Sequence, residues 1–190
     1  MSAEAAIDLF WLPLGAGGHC VKYNGRVYEA IVAWREHRLR ADLYHSALEV
    51  RTEADRYVIE MTPVRPGAPA DRGVVAVGDV GARGAGRLAL FRYEVRCWRD
   101  GVIPDIAEAV DSPRRVSDEV ARVSRVLDAL PRLPTPVWGL DELHTGEMWN
   151  SNSVISWLLA RAGLAPEHIR PPAHGRAPGW DAGHRIARRG

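Results

Sequence analysis

The feature that most constrains the fold is a change of hydrophobic period about halfway along the chain. Before it, residues 7–14, 21–34, 43–50, 57–62, 73–80 and 88–98 form short runs rich in Val, Ile, Tyr and Leu, separated by Gly, Pro or charged residues. That is the signature of strands joined by tight turns. Val21-Lys22-Tyr23 and Arg26-Val27-Tyr28 flank Asn24-Gly25, the dipeptide best suited to a two-residue hairpin turn. After the change, Val120, Val123, Val126, Leu127 and Leu130 recur at helical spacing over 117–130, with Ser117 as the expected cap and Pro131 as the stop. A second helix is expected over 150–162, with Val154, Ile155, Trp157, Leu158 and Leu159 turned inward and Gly163 at its end. The stretch 171–190 holds four glycines and three prolines without an apolar period, so it reads as a loop. Strands first and helices later imply an α+β domain over 1–170 with an antiparallel sheet, followed by a loop or lid-like tail over 171–190.

Composition removes several classes of function. The 190 residues are 46% hydrophobic and 26% charged, which is globular usage and suits one domain. The formal charge of +1, from 25 basic and 24 acidic residues, gives no whole-chain field for nucleic acid or an anionic membrane. No stretch approaches the length of a spanning helix, and Glu4, Asp8 and Pro13 interrupt what a secretory signal would need. A cytoplasmic protein is expected. Cys20 and Cys97 are too few for a disulfide scaffold and lack zinc-site spacing. They read as core residues. His144, Glu147, His168, His174 and His184 are scattered without a ligand motif, so no metal and no cofactor is expected; no Gly-rich phosphate loop opens a helix.

Three places could carry chemistry. His45 interrupts an apolar strand, where a period of two puts it on one face with Leu43, Ala47 and Glu49, and Tyr44, Ser46, Leu48 and Val50 on the other. It is either a general base or a half-buried structural histidine. Glu60 ends the following strand-like segment and would either orient that imidazole or sit in solvent. Asn150-Ser151-Asn152-Ser153 precedes an apolar helical run, where backbone N–H groups point outward and the helix dipole favours negative charge. One such residue suffices for a cap, whereas four suggest a nucleophile with amides around its oxyanion. Trp149 and Trp180 adjoin flexible polar segments and are expected at a cleft wall.

The Tyr-His-Ser-x-x-Glu-Val strand (residues 44–50), the acid-ended strand after it and the late Trp-Asn-Ser-Asn-Ser helix start resemble the circularly permuted papain-like, NlpC/P60-like superfamily. Within it the pattern is most similar to the PPPDE (DeSI-like) peptidases, with lecithin:retinol acyltransferase-like proteins as neighbours. The likeness covers residues 45–60 and 149–159. It implies a permuted papain-like fold in which the family's nucleophilic cysteine falls at Ser151. A serine hydroxyl needs a true general base, so the resemblance implies one of two things. Either Ser151, His45 and Glu60 hydrolyse or transfer an amide or ester, with Asn150 and Asn152 at the oxyanion, or the site is catalytically inactive and binds a peptide or acyl ligand.

Overall fold

The computed structural model describes residues 4–14, 41–64, 67 and 70–189; the expected 21–34 hairpin lies outside them. Strands β1 (Ala6–Pro13), β2 (Asp42–Arg51), β3 (Arg56–Pro63), β4 (Val74–Asp79), β5 (Arg92–Arg99) and β6 (Val110–Ser117) form an antiparallel sheet in the order β4-β5-β3-β2-β1-β6. A two-residue strand, β7 (Gly175–Arg176), runs parallel to the start of β2. Three α-helices come after β6 among the described residues: α1 (Val120–Ala129), α2 (Ser151–Arg161) and α3 (Trp180–Ala187). The class is α+β, as the order of periods implies.

Strand alternation divides the side chains between two faces. Ile7, Leu9 and Trp11 of β1, Tyr44, Leu48 and Val50 of β2, Ile59 and Met61 of β3, and Tyr93 and Val95 of β5 pack in one core with Val123 and Val126 of α1 and Val154, Ile155, Leu158 and Leu159 of α2. The opposite face carries a second, smaller cluster of Phe10, Leu12, Ala47, Val58 and Ile103. Helix α2 is buried almost all round through Leu159 because it lies between the sheet and α3. α3 comes so close that a Cβ on Gly183 would fall 2.1 Å from the Ser153 carbonyl oxygen, so only glycine fits that crossing.

Three expectations are corrected and one strand is added. The 171–190 stretch is not a loop over a cleft: it forms β7 and α3, and Trp180 is 4% exposed, its ring 5.0 Å from Trp11 and its Nε1 donating to the Pro166 carbonyl. Its helical period is hidden by glycine and by charged residues that become amphipathic only against α2. Ser117 ends β6 instead of capping α1, whose N-cap is Glu119; its hydroxyl accepts from the Glu119 N–H. Residues 88–91 are not strand: Leu88 links two 3-10 turns, Ala85–Arg87 and Ala89–Phe91, and the strand starts at Arg92. Strand β6 is an addition, because Asp-Ser-Pro-Arg-Arg has no apolar alternation. It holds the sheet edge, where proline is tolerated, and the Ser112 hydroxyl accepts from Trp11 N–H at 2.8 Å where the register shifts.

Candidate functional site

Helix α2 starts where β2 and β3 part. Their register runs only from Leu48↔Ile59 to Arg51↔Arg56, so residues 44–47 of β2 have no β3 partner. Asn152 fills that opening. Its side-chain amide donates to the Tyr44 carbonyl at 2.9 Å and to the Pro178 carbonyl at 2.9 Å, while its Oδ1 accepts from the Ser46 hydroxyl at 2.9 Å. Asn150 is the N-cap: its Oδ1 accepts from the N–H groups of Asn152 and Ser153, and its Nδ2 donates to the Pro178 carbonyl. Ser153 completes a capping box, accepting from Asn150 N–H and donating to the Gly179 carbonyl at 2.8 Å. Gly179 has φ 83°, and a Cβ there would strike the Asn150 side chain, so the 178–179 turn is shaped to receive these bonds.

Three of the four polar residues therefore join α2, β2 and the start of α3. The amides of Asn152 and Ser153, which would face an oxyanion, are occupied by the Asn150 cap. Ser151 is the fourth member and is 6% exposed. Trp149 is 2% exposed in the main core, so it walls no cleft.

His45 does not meet Ser151. The neighbouring Ser46 and Tyr44 side chains point to the α2 face, through the bond to Asn152 and through the main core, and β2 runs in unbroken register along β1 from Tyr44 to Arg51. His45 pairs with Leu12 and shares its face with Ala47, on the far side of the sheet from α2. Burial lowers its pKa from 6.5 to about 4, against an opposing pull from Asp105. An imidazole so far below neutral pH is a weak acceptor for a serine proton.

Glu60 shares the His45 face but is held elsewhere. It lies opposite Arg96 on β5, whose Nη1 donates to it at 3.2 Å, and Arg96 also donates to Glu94 at 2.6 Å. Arg72 grips Glu94 through Nε and Nη2, both at 2.7 Å. Glu94 is 1% exposed; burial works to raise its pKa, and the bonds from Arg72 and Arg96 outweigh it, leaving the pKa below the ordinary value. The expected trio is thus three separate features: a desolvated imidazole, a carboxylate in an ion-pair network and a serine in the first turn of α2. Residue types suggested chemistry; the parity of β2 separates His45 from Ser151, and the pairing of β3 with β5 commits Glu60 to Arg96. The structural partners Ser46 and Arg96 escaped the sequence argument, since nothing local marks which strand serine meets a helix asparagine about a hundred residues away.

Cys97 is half-buried, and burial pushes its thiol up to about 11. Among the described residues, no group of three or more His, Cys, Asp or Glu side chains is arranged to hold a metal ion, and no helix is long and apolar enough to cross a membrane. No protein-family model, no curated protein and no solved structure matches this chain.

Proposed function

We propose that this chain is a non-hydrolytic binding protein that takes an extended peptide as an added strand along β4. The observation that carries this reading is the open edge of the sheet. β4 is its terminal strand, and Val74, Val75 and Val77 are 38%, 39% and 48% exposed. Among the described residues no strand pairs with the outer edge of residues 74–78. The strand lacks the proline and lysine that often guard such an edge, and its one register shift lies between Val74 and Ala76. The chain uses the far end of this edge itself. Trp138 N–H donates to the Asp79 carbonyl at 2.8 Å, Gly81 N–H donates to the Trp138 carbonyl at 3.0 Å, and Val80 bridges Trp138 in parallel. An extended peptide on residues 74–78 continues that pattern, with main-chain bonds for affinity and the valines selecting alternate apolar side chains.

Hydrolysis through Ser151, His45 and Glu60 has less support, because the nucleophile and the base stand on opposite faces and the helix-start amides are engaged. The test is selection of peptides from a displayed random library on the full chain, followed by amide hydrogen exchange of the complex. Protection gained at residues 74–78, with no turnover of activated esters above a Ser151→Ala control, is the expected result. Protection elsewhere, or ester turnover abolished by both Ser151→Ala and His45→Ala, would overturn it.

A further inference from the structure

The loop that follows β4 carries the two most exposed large apolar side chains of the described residues, Leu90 and Leu88, with Phe91 beside them. Leu90 is 81% exposed, Leu88 64% and Phe91 43%. Such residues scattered singly need no explanation, but these three stand within four positions of the chain. The same loop is basic: between Val80 and Tyr93 stand Arg83, Arg87 and Arg92 and no acidic residue, in a chain whose overall charge is only +1.

The loop is also built to hold its shape. Val80 N–H donates to the Phe91 carbonyl at 2.9 Å and closes its base. Asp79 reaches into it, accepting from Gly84 N–H at 2.6 Å and Gly86 N–H at 3.0 Å. Arg92 grips the Gly86 carbonyl through Nε and Nη2 at 2.9 and 2.6 Å. Leu88 N–H to Ala85 and Phe91 N–H to Leu88 complete the two 3-10 turns. The apolar side chains are therefore presented by an ordered backbone, and docking them costs little conformational entropy.

We propose that this loop docks the protein on an anionic lipid surface, with Leu88, Leu90 and Phe91 entering the headgroup boundary and Arg83 and Arg87 meeting lipid phosphates and carboxylates. Two observations favour a membrane over a peptide at this place. Leu90 is 81% exposed on a 3-10 turn, which offers a peptide no strand edge of the kind β4 offers. The arginines supply the charge complement that an apolar tip this small needs, since weak apolar insertion becomes stable only with a second, electrostatic signal. Arg83 remains 80% exposed although it pairs with Glu142 at 3.0 Å, and Arg87 is exposed. This docking is independent of peptide addition to β4.

The experiment is co-sedimentation of the full chain with vesicles of phosphatidylcholine alone and of phosphatidylcholine mixed with phosphatidylserine. Binding to the mixed vesicles, weakened by salt, is expected. Leu90→Asp should weaken it about tenfold or more, with an unchanged circular dichroism spectrum because the side chain is exposed. Arg83→Ser with Arg87→Ser should weaken it about fivefold per arginine on mixed vesicles and leave phosphatidylcholine unaffected. No binding to mixed vesicles would overturn the proposal. So would binding indifferent to Leu90→Asp, or a loop that joins two copies of the chain or holds a soluble acidic peptide without sedimenting with vesicles.

Discussion

Replacing His45 by leucine should remove a specific part of the protein's sensitivity to acid. In the folded protein the ring is desolvated beside the Phe10, Leu12, Ala47, Val58 and Ile103 cluster, with a pKa of about 4; in the unfolded chain it returns to 6.5. Below the unfolded value the unfolded state binds the extra proton, so stability falls as pH falls through the window from 6.5 to about 4, and levels below it. The full difference is worth about 3 kcal/mol. Urea unfolding of the wild type and His45→Leu at a series of pH values measures it. At neutral pH the two should lie within about 1 kcal/mol, because a neutral half-buried imidazole gives way to a side chain of similar bulk. Their difference should then shift in favour of the variant by about 3 kcal/mol across the window, other titrating groups cancelling between them. Parallel curves would show that His45 is not desolvated. A shift of opposite sign would mean that the folded state raises the imidazole pKa, the behaviour of a histidine paired with a carboxylate, and would revive a Glu60–His45 pair.

Two further outcomes follow from the same geometry. In Ser151→Cys, the introduced thiol should react with iodoacetamide at one rate whether or not His45→Ala is also present; a rate that falls with His45→Ala would put the two side chains in contact and refute the face assignment. Glu94→Gln should cost about 3 kcal/mol in chemical denaturation, since it leaves the buried Arg96 guanidinium with one carboxylate fewer. A single-variant loss below about 1 kcal/mol would show that the Arg72–Glu94–Arg96–Glu60 network is solvent-screened.

The sequence alone determined the class of the fold and most of the central elements. The alternation in β2, β3 and β5 and the 3.6-residue period of α1 and α2 are local properties of side-chain spacing, and they persist in the folded chain. The polar run before α2 likewise marked a helix start correctly, since a capping box is a matter of a few neighbouring residues. Tertiary structure alone decided what those residues do. The sequence put His45 on the face away from Ser46, but which face would receive α2 depends on where β2 and β3 separate and on what fills the gap, and Asn152 met Ser46 there. The tail is another case: α3 is helical because Gly183 lets it lie against α2 and Trp180 finds Trp11, contacts that no window within 171–190 contains. Glu60 became part of a buried ion-pair network for the same reason, since its partner Arg96 is brought opposite it by strand order and not by sequence distance. Local spacing sets which elements form, whereas the chemistry open to a side chain is set by the groups that long-range packing places beside it.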